Sequence, residues 1–118
     1  MSLPRGSLVQ VDLEPTRGHE QRGTRPCLVV SDPAVNASQR FPLVAVVPIT
    51  GTPAPGALYP PLAPGAHGLT KPSYALVDQL RSIDKQRIRR RYGQISEQEL
   101  AAVDAGLRLY LGLIPDPG

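Results

Sequence analysis

The chain has 118 residues and a formal net charge of +3, and 41% of its residues are hydrophobic. This length favours one domain, spanning residues 1–118, with one modest core. Fourteen prolines and eleven glycines favour short strands and loops over a helical bundle. No apolar run approaches the ~20 residues that a membrane span needs, and the first residues lack the apolar core of a signal peptide. We therefore expect a cytoplasmic protein without a membrane segment.

The composition also argues against several kinds of site. Cys27 is the one cysteine, and it lies in an apolar run that is typical of a small buried residue. It cannot form an intramolecular disulfide. Histidines, cysteines and carboxylates do not cluster at metal-ligand spacing, and no phosphate-binding glycine motif is present. We expect neither a metal ion nor a cofactor.

The sequence predicts three strands and a short helical turn in the first half of the chain. Residues 8–13 alternate, with one apolar face formed by every second residue, and predict a strand. Residues 27–31 are a short apolar run suited to a central strand. A capping aspartate followed by proline predicts a helical turn over 33–37. Residues 43–49 predict the third strand.

The second half is irregular until the C-terminal helix. Prolines and glycines interrupt residues 51–72, where 57–62 are a candidate strand, and alternation predicts another strand over 73–80. Ser96 and Glu99 form a capping box, which predicts a helix start. The apolar stripe of that helix is Leu100, Val103, Leu107, Tyr110 or Leu111, and Ile114. The fold class is thus mainly β with a C-terminal helix, a small antiparallel barrel or curled sheet that the helix covers.

A polar segment, residues 18–26, separates the first two strands and contains two arginines, a histidine and a glutamate. Loops on a rigid scaffold often carry function. Arginine can hold a phosphate through two hydrogen bonds, and histidine or glutamate can move a proton. The alternative interpretation is an ordinary solvated loop whose glycines serve the turn.

A second charged segment, residues 78–91, contains six basic residues against two acidic ones. It is either a solvated basic edge or a surface that follows a phosphate backbone. Because the segment holds only two carboxylates, intramolecular pairs within it cannot neutralise all six cations. The basic residues are Arg81, Lys85, Arg87, Arg89, Arg90 and Arg91.

Three motifs, together with a C-terminal helix, carry a resemblance to a known family over nearly the whole chain. Arg-Gly at 5–6, followed by DLEPTRGHEQRGTRP at 12–26, resembles the start of the MazF/PemK (Kid) toxins. VPIT at 47–50 and VDQLRSIDK at 77–85 continue the match. These toxins are the ribonuclease halves of bacterial toxin–antitoxin pairs. The resemblance implies an SH3-like barrel, a homodimer, a single-stranded RNA substrate and an acidic antitoxin that blocks the RNA groove.

Arg25 is the first candidate catalytic residue, because it can clamp the phosphate and stabilise the charge of the transition state. The resemblance matches it to the catalytic arginine of the family and pairs it with Thr50. His19 and Glu20 are candidates for proton transfer. The alternative for Arg25 is an arginine at the rim, paired with Glu14 or Glu20.

The two branches of the family predict different roles for His19. In the PemK/Kid branch the histidine acts with an aspartate and an arginine. The aspartate corresponds to Asp78 here, and the arginine lies two residues before that aspartate. Leu76 occupies that position in this chain. The mechanism of the MazF branch, with Arg25 and Thr50, is therefore favoured, and His19 would contact RNA without transferring a proton.

Further residues are candidates for RNA binding. If the predicted strand 73–80 continues to residue 83, alternation places Gln79 and Arg81 on one face and Asp78 and Leu80 on the other. Gln79 could contact a base edge and Arg81 a phosphate, or this polar face could be closed by a salt bridge to Asp84. The RNA-binding candidates are Arg17, Gln21, Asp78, Gln79, Arg81 and Lys85.

The sequence thus predicts a toxin that is a metal-independent, sequence-specific endoribonuclease. It would cleave messenger RNA to 2′,3′-cyclic phosphate and 5′-OH ends and so inhibit translation. One alternative is a non-catalytic toxin of the same barrel type that binds a protein such as a topoisomerase. Another is an RNA-binding barrel without cleavage. Similar barrels support all three activities, so the fold does not decide between them.

Overall fold

The computed structural model describes residues 3–14, 18–20, 23–65 and 67–113. These residues form seven strands and two α-helices, with single 3₁₀ turns at Val77–Gln79 and Lys85–Arg87. In chain order the elements are β1 (Ser7–Asp12), β2 (Thr24–Val29), α1 (Pro33–Ala37), β3 (Leu43–Thr50), β4 (Pro61–Leu62), β5 (Ser73–Ala75), β6 (Arg81–Asp84), β7 (Ile88–Gln94) and α2 (Glu97–Leu111).

The strands form one curled antiparallel sheet in the order β4-β5-β3-β2-β1-β7. β3 is its longest strand, with β2 on one side and two strands in succession on the other. β6 pairs with the first half of β3, in the register Val44↔Ile83. β5 pairs with its end, where Thr50 lies opposite Tyr74. The predicted fold class, mainly β with a C-terminal helix, is confirmed.

Two apolar clusters bury both faces of the central strands. One cluster joins the sheet to α2 and contains Leu8, Leu28, Val30, Val47, Ile49, Leu62, Ala75, Val77, Ile95, Val103 and Leu107. The other lies on the opposite face and contains Leu3, Val9, Val11, Leu13, Cys27, Val29, Val44, Val46 and Ile83. Burial on both faces explains why β2 and β3 are near-continuous apolar runs. The predicted shared face of Val9, Val11 and Leu13 is confirmed.

α2 begins as predicted but its apolar stripe is shorter. The Ser96 side chain accepts a hydrogen bond from the Glu99 N–H, and the Glu99 carboxylate accepts one from the Ser96 N–H. Val103 and Leu107 are buried against the sheet. Tyr110 is 47% exposed and Leu111 is 50% exposed, because the last helical turn extends beyond the buried cluster. Their predicted burial is wrong, and Ile114 lies outside the described residues.

The predicted strand over residues 73–80 is confirmed for its first three residues and wrong for the rest. β5 ends at Ala75, and the chain then turns through Val77–Gln79. The backbone N–H of Leu76 donates to Pro48 O at 2.8 Å, and that of Val77 donates to Leu58 O at 3.0 Å. The chain leaves the sheet ladder at the next residues, because the N–H groups of Gln79 and Leu80 donate within the turn, to Leu76 O at 2.9 Å and to Val77 O at 3.1 Å. The candidate strand 57–62 is reduced to Pro61–Leu62.

Arg5 connects the start of the chain to α2. Its Nε donates to Val30 O at 2.7 Å, and its two terminal nitrogens contact the Asp104 carboxylate at 3.0 and 2.5 Å. The hydrogen bond to Asp104 raises the pKa of Arg5 despite partial burial. A planar guanidinium makes this two-point contact with a geometry that an ammonium cannot reproduce.

Gly106 provides a test of how closely α2 packs. A Cβ at this position would lie 2.9 Å from the carbonyl oxygen of Ala57 and 3.2 Å from Val77 Cγ2. Alanine stabilises a helix interior over glycine by about 1 kcal/mol, so without this contact the exchange would be favourable. We expect Gly106→Ala instead to destabilise the fold by about 1–3 kcal/mol in urea denaturation, because a backbone carbonyl obstructs the methyl group. The exposed neighbour variant Ala105→Gly reports the propensity contribution alone. A Gly106→Ala protein as stable as the parent would contradict the close packing.

Candidate active site

Arg25 and Thr50 meet at the ends of adjacent strands. β2 pairs with β3 in the register Cys27↔Pro48. Continuing that register by two residues on each strand places Arg25 opposite Thr50. On its other side, Thr50 pairs with Tyr74 of β5. The ends of three neighbouring strands therefore converge on Thr50.

A cleft of about 300 Å³ opens at this point, and we call it the Arg25–Thr50 cleft. Both residues line it, together with Gly51 and with residues 68–71 of the segment before β5. Its polar side chains include Gln10, Arg25, Thr50, Thr70, Lys71 and Tyr92. Among the described residues that line the cleft there are two cations and no carboxylate. Such a lining favours an anionic ligand.

The Thr50 hydroxyl is oriented by the turn that follows β3. Its Oγ1 accepts a hydrogen bond from the Thr52 N–H at 3.1 Å. A hydroxyl that accepts one bond keeps its own proton for donation. Arg25 is exposed on the cleft wall and carries up to five N–H donors. Together they can hold and polarise the oxygens of one phosphate group.

A second hollow, of about 150 Å³, contains other predicted residues. It is lined by Glu20, Pro48, Asp78, Gln79, Leu80 and Arg81. The Glu20 carboxylate lies 3.8 Å from Arg81 Nη1. The sequence left open, as alternatives to a functional role, a salt bridge of Glu20 with a loop arginine and one of Arg81 with Asp84. The structure brings Glu20 and Arg81 together across the hollow.

Gln79 and Arg81 support the loop between β1 and β2. Gln79 Nε2 donates to the backbone carbonyl of His19 at 3.3 Å, and Arg81 Nη1 donates to that of Leu13 at 3.3 Å. They reach the loop from a 3₁₀ turn and the first residue of β6, and the strand expected to align them is absent. Both residues therefore help to shape the loop that leads into Arg25.

His19 and Asp78 do not form the pair that the PemK/Kid branch uses. His19 is exposed and is outside the lining of the Arg25–Thr50 cleft. Asp78 Oδ2 accepts a hydrogen bond from Tyr59 Oη at 2.7 Å, and Asp78 Oδ1 is buried without a hydrogen-bond partner among the described residues. That bond to Asp78 raises the pKa of Tyr59. Leu76, at the position of the branch's arginine, is buried.

The basic segment 78–91 is partly neutralised from another strand. β7 pairs antiparallel with β1, which brings Asp12 beside it. Arg89 Nη2 lies 3.6 Å from the Asp12 carboxylate, and Arg87 Nη1 donates to the backbone carbonyls of Asp12 and Glu14. The Arg90 guanidinium lies 5.0 Å from the centre of the Tyr92 ring. Partners outside the segment, which its sequence alone does not show, therefore occupy several of its cations.

Lys85 has a structural contact. Its Nζ donates to the carbonyl oxygens of Val35 and Ser38, at 3.1 and 2.8 Å, and so closes the C-terminal end of α1. Its position lines a surface hollow beside α1, outside both hollows that hold the other predicted residues. The predicted contact with RNA gains no support from this arrangement. Two further RNA-binding predictions, Arg17 and Gln21, lie outside the described residues.

Two residues that no motif indicated lie at these sites. Lys71 lines the Arg25–Thr50 cleft, and Tyr59 donates a hydrogen bond to Asp78, which lines the second hollow. Both lie in the irregular segment 51–72, where the sequence has no hydrophobic periodicity from which inward-pointing side chains could be predicted. Within the part of the chain that the structure describes, no group of three or more His, Cys, Asp or Glu side chains could hold a metal ion. The helices in that part are too short or too polar to cross a bilayer.

The chain is similar over most of its length to one family of known proteins. Residues 4–111 match the model of the PemK-like, MazF-like toxins of type II toxin–antitoxin systems. The chain belongs to this family. The match includes the whole sheet and α2, and the Arg25–Thr50 cleft lies inside it.

Individual relatives cover nearly the whole chain. Endoribonuclease MazF9 from Mycobacterium tuberculosis is 38% identical over 117 residues, which cover 94% of this chain and 98% of the relative. The crystal structure of MazF from Deinococcus radiodurans superposes with a TM-score of 0.80 at 30% identity, covering 95% of this chain and 98% of that one. A MazE–MazF structure from the same organism gives 0.75 at 29% identity, covering 97% and 99%.

Cys27 lies two residues after Arg25 on β2. The reactivity of its thiol shows whether a nucleophilic cysteine is available near the cleft. Burial raises the pKa of the Cys27 thiol to about 12. Only the thiolate reacts with disulfide reagents, so the native thiol should stay unreactive at pH 8 and react fully once the chain unfolds in urea. A colorimetric disulfide reagent measures both rates at that pH. Equal labelling of the native and unfolded chains would contradict the buried position.

Proposed function

We propose that this toxin is a metal-independent endoribonuclease that cuts single-stranded RNA, messenger RNA in the cell, in the Arg25–Thr50 cleft. The observation that carries the proposal is the convergence of an arginine and a hydroxyl in a cleft whose described lining holds no carboxylate. The relative named Endoribonuclease MazF9, at 38% identity, supports the same activity. The reaction would leave a 2′,3′-cyclic phosphate and a 5′-OH.

RNA supplies the nucleophile, because its 2′-OH lies beside the phosphate that is cut. The reaction must remove the 2′-OH proton, stabilise the charge of the phosphorane and return a proton to the leaving 5′ oxygen. Arg25 would hold the non-bridging oxygens, and the Thr50 hydroxyl would donate a further hydrogen bond. Glu20 and His19, on the loop between β1 and β2, are the groups that we assign to proton transfer or RNA contact.

The antitoxin would compete with RNA for the same cleft. Two cations without a carboxylate among the described lining residues suit an acidic segment as well as a phosphate chain. The family is defined by type II toxin–antitoxin systems, and the MazE–MazF structure contains a chain of this fold. We propose an acidic antitoxin as the protein partner, acting in the cytoplasm.

A second copy of the chain is the other proposed partner. The end of α2 presents an apolar patch to solvent, formed by Leu109, Tyr110, Leu111 and Leu113. A monomer rarely leaves contiguous apolar surface exposed, and a two-fold dimer would bury the patch against its own counterpart. The homodimer implied by the family resemblance is thus consistent with this surface.

Arg25→Ala tests the central role. Losing one preorganised donor at a developing negative charge costs about 10²–10³ in rate, so cleavage should fall by at least this factor. The measurement is cleavage of a long single-stranded RNA in excess EDTA, with circular dichroism to verify folding. Arg40→Ala, at an exposed arginine before β3, is the control for lost positive charge. Near-normal cleavage by a folded Arg25→Ala protein would remove Arg25 from the mechanism.

Thr50 and His19 separate the two proposed mechanisms. Thr50 lines the cleft and His19 does not, so Thr50→Val should lower the single-turnover rate constant more than His19→Ala does. His19→Ala should mainly weaken RNA binding. Single-turnover kinetics at saturating and limiting protein distinguish the two effects. The reverse ranking would identify His19 as the acid or base and favour the PemK/Kid mechanism.

A further inference from the structure

We propose that Lys71 provides a second cation in the Arg25–Thr50 cleft and binds a non-bridging oxygen of the scissile phosphate. The inference rests on the proposed function and extends it to a residue that no motif of the chain indicates. Three observations carry it: the position of Lys71 two residues before β5, its contact with Gly51, and the absence of a carboxylate beside it among the described residues.

The backbone of Lys71 is held at the edge of the cleft by β5. The buried Ser73 donates a hydrogen bond from its Oγ to the Lys71 carbonyl oxygen at 3.0 Å. Tyr74, the next residue, pairs with Thr50 of β3. In the order β5-β3-β2, three adjacent strands thus bring Lys71, Thr50 and Arg25 to one opening.

The side chain of Lys71 lies against the backbone of Gly51. A Cβ at residue 51 would lie 2.5 Å from Lys71 Cε and 2.8 Å from Lys71 Nζ. The ammonium therefore sits directly beside the residue that follows Thr50. Any side chain at position 51 would displace it, so the glycine leaves the space that the lysine occupies.

Among the residues that the structure describes, no neighbouring carboxylate neutralises the charge of Lys71. No Asp or Glu oxygen within the described ranges comes within 4.0 Å of its Nζ. The chain has one other lysine, Lys85, whose ammonium donates to two backbone carbonyls. Lys71 differs because it lines a cleft that contains Arg25, and its Nζ lies beside Gly51 of the same lining.

The segment before Lys71 is held in place by contacts with α2 and with β7. Glu99 Oε2 accepts a hydrogen bond from the Ala63 N–H at 2.8 Å, and its other oxygen lies 3.8 Å from His67 Nε2. Partial burial would raise the pKa of Glu99, but the backbone hydrogen bonds from Ser96 and Ala63 outweigh it and lower that pKa. Gly68 packs against Tyr92, where a Cβ would lie 2.9 Å from the Tyr92 Cβ. This wall of the cleft is therefore anchored to α2 and β7.

Two cations of different geometry suit a phosphorane. Its negative charge is shared by two non-bridging oxygens, and a planar guanidinium can hold both while an ammonium acts as a point charge on one. A cation already in place costs no reorganisation when the charge develops. Lys71 should therefore contribute to the rate constant more than to RNA affinity.

Lys71→Gln tests this contribution. We expect the single-turnover rate constant at saturating protein to fall by about 10²-fold, with RNA affinity changed far less. Lys71→Arg should restore part of the rate, because it restores the charge. Arg40→Gln, an exposed cation outside the cleft, is the control with the same charge change and should cleave normally. A Lys71→Gln protein that cleaves like the parent would overturn the inference and leave the proposed function standing.

Gly51→Ala displaces the ammonium without removing it. The added methyl would overlap Lys71 Cε and Nζ, and the flexible side chain can move aside, so the fold should be unaffected. We expect a smaller loss of rate than for Lys71→Gln. We also expect no further loss when Gly51→Ala is added to Lys71→Gln. Equal losses with and without Lys71 would contradict the proposed contact.

Amine acylation tests binding without relying on cleavage. A fully 2′-O-methylated RNA lacks the nucleophile and cannot be cut. Mass spectrometry after treatment with an amine-acylating reagent should show Lys71 strongly protected by this RNA, several-fold more than Lys85. Unchanged acylation of Lys71 would overturn the inference. Protection of Lys71 in a protein that cuts no natural RNA would support the phosphate site and contradict the proposed function.

Discussion

The antiparallel pairing of β3 with β2 and β5 is the constraint on which the rest of the structure depends. β3 buries Val44 and Val46 in one apolar cluster and Val47 and Ile49 in the other. A register slip of one residue would exchange the faces of these side chains, so core packing strongly specifies the register. The same register places Thr50 between Arg25 and the end of β5. The geometry of the cleft is thus a consequence of how the core packs, and the two residues that we propose as catalytic lie at the ends of stiff strands.

The periodic elements could be predicted from the sequence, because each carries a local signal. Alternation marked β1, apolar runs marked β2 and β3, and the Ser96–Glu99 capping box marked the start of α2. The turn at Val77–Gln79 could not be predicted in this way. Its residues alternate like a strand, but the N–H groups of Gln79 and Leu80 donate to carbonyl oxygens three residues back in the chain and form a 3₁₀ turn. Similarly, no local pattern shows that α2 extends past its supporting cluster and exposes Tyr110.

Some residues of the candidate site could likewise be predicted from the sequence, and others could not. Arg25 and Thr50 follow from a family motif at the ends of regular strands, and the structure brings both into one cleft. Lys71 lies in a segment of prolines and glycines without a period, and only the strand pairing of β5 reveals its position. The partners of Arg87 and Arg89 come from Asp12 on β1, so charges counted along the basic segment do not show which of its cations have intramolecular partners.

The most direct test of the central claim is a double-mutant cycle on the single-turnover cleavage rate. Arg25→Lys and Thr50→Val are measured alone and together, with folding verified for each protein. If the two side chains act on one phosphate as a unit, the double variant should be little slower than the slower single variant. Strictly additive losses in activation free energy would contradict the account, because they would show that Arg25 and Thr50 act independently and that the cleft is not one catalytic site.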